Sequence, residues 1–230
     1  MASHSVPASR GPARIPPPLD EAPLRAALRW TLAARRPGEK VRLFAYGALM
    51  WERDALATAE AVPARLPGYA RAFCLWDPVM RGTPERPALT TGLVPGEACS
   101  GVVFTLPKNA EPHDALWPAW EQEMRPGFYR AEWLEVRPLP DGPACRAIGF
   151  VADEAHPLFV GGASVEAQAE VIAGAKGKLG TAGEYLRKLV GALQQAGLRD
   201  EGIERLAAMV GVEPGAIASA SAGPHPCQPS

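Results

Sequence analysis

The sequence predicts an α+β fold, a small mixed β-sheet or barrel covered by helices, with further helices at the C-terminal end. Three observations carry that expectation. Short apolar or alternating runs, bounded by turn-forming residues, crowd the stretch from 41 to 151. Beyond residue 160 the pattern changes to helical periodicity. Hydrophobic residues make up 47% of the 230 residues, enough for one sizeable core.

Taken in order, residues 1–19 are rich in Pro, Ala and Ser and end in Pro16-Pro17-Pro18. Such a stretch has little to bury and is expected to be a disordered tail. Residues 20–38 read as a short helix. Asp20 suits its cap, Pro23 its first turn, and Leu24, Leu28 and Leu32 recur at helical spacing. Arg35 and Arg36 are placed to suit the negative end of its dipole. The main domain is expected over 39–210. It opens with a buried strand, Val41-Arg42-Leu43-Phe44-Ala45-Tyr46, which Gly47 breaks before Leu49-Met50-Trp51. A strand, a glycine turn and a helical continuation together present free backbone N–H groups. Residues 54–61 suggest a helical turn. Within 64–76, Arg65, Tyr69, Arg71 and Phe73 fall on alternating positions of a strand that follows a turn. Arg81-Gly82-Thr83-Pro84 lies in an ordered loop, 77–87.

Two strands, 88–93 and 100–105, are expected next, joined through Pro95-Gly96. Residues 109–124 are helical, with Leu116, Trp120 and Met124 on one face and Pro118 marking a start or a kink. After Pro126-Gly127, strands at 129–137 and 145–151 flank a hairpin-type loop at Asp141-Gly142-Pro143. Ser164 caps a helix over 165–174. Gly183-Glu184-Tyr185 opens a second helix with Leu186, Leu189, Val190 and Leu193 on one face, and a third runs over 200–210. The end, 211–230, is small, polar and Pro-rich and reads as a flexible tail.

The totals narrow the function. Twenty-four Lys and Arg stand against 25 Asp and Glu, interspersed, for a net charge of −1. No basic stripe marks a nucleic-acid partner. No apolar run is long enough to span a bilayer, and the N-terminus lacks the apolar segment of a secretory signal, so no membrane partner is expected. Four widely spaced cysteines without a CxxC read as reduced thiols of a cytoplasmic protein.

His4 and His225 lie in the tails and His113 and His156 beside prolines, with no HExxH, so no metal is expected. No G-x-S-x-G elbow occurs. Gly174-Ala175-Lys176-Gly177-Lys178-Leu179-Gly180 resembles a phosphate loop but has Ile172 where the first glycine belongs and Leu179 after the lysine. It reads as a solvated loop between helices. Gly161-Gly162 lacks the third glycine of a dinucleotide fingerprint.

Any catalysis then rests on carboxylate, backbone N–H, Tyr or Arg. Two carboxylates, Glu121 and Glu123, stand just ahead of the Pro126-Gly127 turn. Glu121 reads as a solvated helix residue. Glu123 is surrounded in sequence by Trp117, Trp120, Met124, Phe128 and Tyr129, and burial among such groups raises a carboxyl pKa toward the range useful for proton transfer. From the residues alone, general base and ordinary helix residue both stay open.

Phe44-Ala45-Tyr46-Gly47-Ala48-Leu49-Met50-Trp51 resembles the F-G-Y-G-S-L-x-W motif of the ChaC-like γ-glutamylcyclotransferases. The similarity continues through Gly68-Tyr69-Ala70-Arg71-Ala72-Phe73 and Arg81-Gly82-Thr83-Pro84. Glu123-Met124-Arg125-Pro126-Gly127-Phe128-Tyr129 looks like the family's R-E-M-x-x-G-x-Y, and Gly183-Glu184-Tyr185-Leu186 like its N-x-E-Y-L. Together these cover about residues 40 to 210. The resemblance implies a β-barrel-like α+β fold and cleavage of glutathione, a small-molecule substrate, to 5-oxoproline and Cys-Gly without a cofactor. It implies Glu123 as the catalytic residue and a substrate-binding loop of Ala45, Tyr46, Gly47, Ala48, Leu49 and Met50. Tyr129 belongs to the same matched segment and is counted with the substrate-binding residues. Arg71 and Arg81 are candidates for a substrate carboxylate or, equally, for structural ion pairs. The chain departs from the family pattern at Ala45 (glycine), Ala48 (serine), Gln122 (arginine) and Ala182 (asparagine). Those departures leave two alternatives open: another γ-glutamyl amine or peptide as substrate, or a homologue that binds such ligands without turnover.

Overall fold

Among the described residues five strands close into a barrel, and five helices lie against it or against one another. The computed structural model describes residues 12, 14–52, 56, 59–161 and 163–213. Most of both expected tails, half of the 54–61 turn, Gly162 and Cys227 lie outside the described residues, and Glu60 and Ala61, expected in that turn, open a strand instead. Helix α1 (Glu21–Ala33) begins after Asp20, whose side chain makes no capping bond, and it ends short of Arg35 and Arg36, so neither arginine sits in its last turn. Leu24 and Leu28 are buried, and two indole N–H groups hold the helix down: Trp120 donates to the Leu24 carbonyl (3.0 Å) and Trp133 to that of Thr31 (2.8 Å).

Strand β1 (Arg42–Ala45) leads into one short 3-10 turn (Ala48–Met50). Strands β2 (Glu60–Asp77) and β3 (Ala88–Thr105) are both 18 residues long and run antiparallel along almost their full length. Helix α2 (Pro112–Met124) follows, then β4 (Tyr129–Pro138) and β5 (Cys145–Ala152). The barrel order is β1-β3-β2-β4-β5, closed by parallel pairing of Leu43 with Ile148 and of Leu93 with Val151. A closed sheet leaves no open edge to be covered.

The two strands expected around Pro95-Gly96 are one strand. Pro95 pairs with Tyr69 at a bulge, where the ladder skips a residue and a missing N–H costs nothing. Gly68 (φ +81) supplies the bend on the partner strand. A second bulge between Phe73 and Leu75 lets the long pair curve around the barrel. The α2 helix starts at Pro112 and carries Pro118 within it, so Pro118 does not mark its start.

Beyond the barrel, Ser164 caps α3 (Val165–Gly174) through the Ala167 N–H. Two short strands, β6 (Lys176–Gly177) and β7 (Gly180–Thr181), then form a hairpin where a solvated loop was expected. Its Lys178 and Leu179 N–H groups bond to the carbonyls of Val79 and Met80, and a Cβ on Gly177 would lie 2.6 Å from backbone atoms of Met80 and Gly82. Backbone contact with the 77–87 loop fixes the segment, while the side chains of Lys176, Lys178 and Leu179 stay exposed. Helix α4 (Ala182–Gln195) opens with a full capping box between Thr181 and Glu184. Helix α5 (Glu201–Val210) is capped by Asp200 and ends at Gly211, φ +72. No helix among the described residues is long and apolar enough to cross a membrane.

Candidate active site

Glu123 lies on the last turn of α2, one residue before its end. The Pro126-Gly127 turn, with Gly127 at φ +83, reverses the chain so that Tyr129 re-enters the barrel as the first residue of β4. The residue keeps part of its surface open, yet its carboxyl is enclosed by protein. Desolvation pushes its pKa up to about 8; the negative charge of Glu52 adds to the rise, and a hydrogen bond from Gln122 opposes it. Glu121 sits on another side of the helix, paired with Arg125.

Three buried phenols face this carboxyl. Tyr46 comes from the end of β1, Tyr129 from β4 and Tyr185 from α4. Burial holds Tyr46 and Tyr129 well above the ordinary phenol pKa and pushes Tyr185 up to about 12, and the Glu123 charge raises each further. All three are therefore neutral donors at physiological pH. Tyr46 donates to the Phe150 carbonyl (2.5 Å), Tyr129 to the Thr91 carbonyl, and Tyr185 shares a 2.8 Å hydrogen bond with the Thr91 hydroxyl. Thr91, near the start of β3, thus ties two of the three rings to one strand.

The 45–50 loop closes over the same place. A Cβ on Gly47 would stand 2.9 Å from the Thr91 hydroxyl oxygen and 3.2 Å from the Tyr185 hydroxyl, so only glycine fits without displacement. The Met50 N–H returns to the Gly47 carbonyl, and those of Trp51 and Glu52 to the Ala48 carbonyl. The N–H groups of Ala48 and Leu49 precede these bonds at the head of the turn. Ala45, Leu49 and Met50 are buried side chains that anchor the loop in the core. Trp51 packs its edge against Tyr185, with ring centres 5.3 Å apart, and its indole N–H is buried with no acceptor among the described residues.

The two arginines differ. Arg71 is wholly buried and spent on protein: Nε donates to the Tyr46 carbonyl (2.7 Å), and the other nitrogens reach the Ser100 carbonyl and the Asp200 carboxylate. It is an internal brace behind the loop, the structural alternative of the two. Arg81 is also buried; it bonds to the Leu179 carbonyl, approaches Glu52 at 3.9 Å and lies 5.6 Å from the Tyr185 ring centre. That places it at the rim of the site, through Glu52.

Three members of the constellation were not assigned from sequence. Tyr185 stood in a matched motif without a role. Thr91 is a lone threonine in a strand, and Glu52 follows Trp51 with nothing to mark it. Neither described histidine joins the site: His113 stacks on Trp117, and His156 lies against Phe128. Among the described residues no three His, Cys, Asp or Glu side chains converge as for a metal ion. Cys74 and Cys99 are buried, and desolvation pushes the Cys74 thiol up to about 12, which makes it a poor nucleophile. An open groove of about 590 Å³ lies elsewhere, lined by Arg65, Glu97, Arg137 and Asp141 among others, and no candidate site residue lines it.

The family model described as ChaC-like protein matches residues 41–213. The glutathione-specific gamma-glutamylcyclotransferase of Escherichia coli (strain K12) is 36% identical over 181 residues, covering 79% of this chain and 77% of that protein. The gamma-glutamylcyclotransferase 2-3 of Arabidopsis thaliana is 30% identical, over 73% of this chain and 87% of that one. Among solved structures, a yeast γ-glutamylcyclotransferase specific to glutathione superposes with a TM-score of 0.66 at 20% identity, covering 76% of this chain and 96% of that chain, which establishes the shared fold. A match across three quarters of its length and in the segments that build this site makes the chain a member of the ChaC-like family.

Proposed function

We infer that the protein is a γ-glutamylcyclotransferase that cleaves glutathione to 5-oxoproline and Cys-Gly, with Glu123 as its general base. The observation that carries the reading is a desolvated carboxyl with a pKa of about 8, facing a tight Tyr46-Gly47-Ala48 turn in a member of this family. Glu123 accepts a proton from the α-ammonium of the γ-glutamyl group. The freed amine attacks the γ-carbonyl of the same residue and closes a five-membered ring. The C–N bond to cysteine breaks as the proton held by Glu123 passes to the leaving amine, and the ring nitrogen gives up its second proton to leave the neutral lactam and the amine of Cys-Gly protonated. Because the attack is intramolecular, the site has only to hold the substrate curled.

The head of the 45–50 loop supplies backbone N–H groups for the substrate's anionic oxygens or for the developing oxyanion. That role depends on the backbone, so Ala45 and Ala48 are compatible with it. The orphan indole N–H of Trp51 offers one further donor beside Tyr185. Tyr129 borders the base, Arg71 holds the loop from behind, and Arg81 presents positive charge at the rim. The chemistry is assigned to residues 39–210, with α1 a strap on the barrel and the tails 1–19 and 211–230 outside it. No cofactor takes part in this scheme. The unpaired thiols of Cys74, Cys99 and Cys145 support a reducing, cytoplasmic setting.

The test is to incubate wild type and Glu123→Gln with glutathione and follow 5-oxoproline and Cys-Gly. Wild type is expected to form both, and the variant to lose about 10²-fold or more in rate. Equal rates in the two proteins would remove Glu123 from the mechanism. Catalysis by the ionised form makes kcat/KM rise with pH toward the pKa of Glu123 near 8. A panel of other γ-glutamyl amines and peptides decides the substrate: glutathione turned over poorly beside a well-used member would redirect the assignment. A thermal shift with glutathione but no product would mean a binding protein.

A further inference from the structure

Glu52 belongs to no matched motif, yet three segments of the site meet at its carboxylate. Its own N–H is pinned to the Ala48 carbonyl at 2.9 Å, which fixes it to the 45–50 loop. One of its oxygens accepts a 2.9 Å hydrogen bond from the Gln122 side-chain amide on α2. The other faces the guanidinium of Arg81, from the 77–87 loop, at 3.9 Å. The same Gln122 amide nitrogen lies 3.5 Å from Glu123 Oε1, at the outer limit of a hydrogen bond. Arg81, Glu52, Gln122 and Glu123 therefore stand in a row, and the two carboxylates share one amide between them.

We propose that Glu52 is a positioning residue for the cyclotransferase reaction: fixed to the 45–50 loop, it holds the Gln122 carboxamide against Glu123 and sets a second carboxylate beside it. The inference rests on the reading of Glu123 as the base. An amide has two hydrogens and no charge, so it links two carboxylates without neutralising either. An arginine at 122 would bring a cation between them and favour the ionised form of both. With glutamine there, the only cation that reaches Glu52 among the described residues is Arg81, on the side away from Glu123.

The groups facing the Glu123 carboxyl are the phenols of Tyr46, Tyr129 and Tyr185, which are neutral, the amide of Gln122 and the carboxylate of Glu52. Glu52 is thus the one other carboxylate among them. Its side chain is about one-third exposed (34%), so water weakens its field without abolishing it. Proton uptake by Glu123 from the α-ammonium is then favoured by a neighbour that acts on the base and not on the reacting atoms.

The test reads Glu123 directly. Its carboxyl carbon is followed by 13C NMR across pH 5 to 10, with the resonance assigned by its loss in Glu123→Gln. Glu52→Gln, close in shape but uncharged, is expected to lower the midpoint by about half to one pH unit. The acid limb of kcat/KM should move by the same amount. Glu52→Asp, which keeps the charge, should stay closer to wild type than to Glu52→Gln. If Glu52→Gln does not fold, Glu52→Ala is read in its place and should shift in the same direction. A midpoint unmoved in the neutral variants overturns the proposal, whatever the activity. A shifted midpoint in a protein that forms no 5-oxoproline would leave the Glu52 pairing standing and overturn the assigned reaction.

Discussion

Glycine at 47 is dictated by what surrounds it, two hydroxyl oxygens within 3.2 Å of where a methyl would sit. Gly47→Ala must displace Thr91, Tyr185 or the loop itself. The expected result is a fall in kcat/KM of more than tenfold with a stability cost of about 1–3 kcal/mol, measured by steady-state kinetics and chemical denaturation. An unchanged kcat/KM would show that the loop does not contact the substrate. At this scale the sequence was legible where residues come in matched strings. Tyr46, Gly47 and Glu123 could be named, and apolar neighbours of Glu123 pointed to its raised pKa. Thr91 could not be found, because its partners are 38 and 94 positions away and a threonine in a strand carries no mark of them. Glu52 was hidden for the same reason: its closest partner, Gln122, is 70 residues on.

Elements were legible in kind and less so in extent. Helical periodicity located α2 to α5, and Ser164 and Asp200 did cap as their residue types suggest. Pro95-Gly96 was read as a break because proline and glycine usually punctuate. Only the pairing with β2 shows that both sit in a bulge of a continuous strand. The hairpin at 176–181 was missed since its partner is the distant 79–82 backbone. How elements are tied together is likewise a property of the folded chain. Arg71 on β2 joins the end of β1, the middle of β3 and the cap of α5. Arg71→Leu is expected to cost about 3–5 kcal/mol, since it strands a carboxylate and two carbonyls, and Arg71→Lys should recover only part, because one ammonium cannot reproduce the fork. Urea denaturation of the three proteins checks this; a loss under about 1 kcal/mol for leucine would mean that Asp200 and the carbonyls find water instead.

For the whole molecule, burying the Glu123 carboxyl carries a pH-dependent cost in stability. Folded Glu123 keeps its proton to about pH 8, whereas the ordinary carboxyl releases it near 4.5. Between those values the folded state binds more protons than the unfolded one, so this group lowers stability as pH rises through the window. Below about 4.5 it contributes nothing, and above about 8 the full cost of a buried charge is present. Glu123→Gln should therefore melt together with wild type near pH 4.5 and progressively above it toward pH 8.5, by on the order of a few kcal/mol. Calorimetry across that range decides it, and parallel melting curves at every pH would contradict the burial of an ionisable Glu123. Cys74 and the tyrosines begin to titrate only at higher pH, so they leave the window clear.

The brace at Arg71 also has a meaning in time. The chain is made from its N-terminus, and every barrel strand is complete by residue 152, but the carboxylate that answers Arg71 arrives only at Asp200. A nascent chain can close its sheet and still hold an unanswered cation behind the Tyr46 carbonyl. The turn after β1 thus has its brace completed late, by the residue that caps α5. A chain cut short before that helix keeps its barrel strands but lacks the carboxylate that answers Arg71.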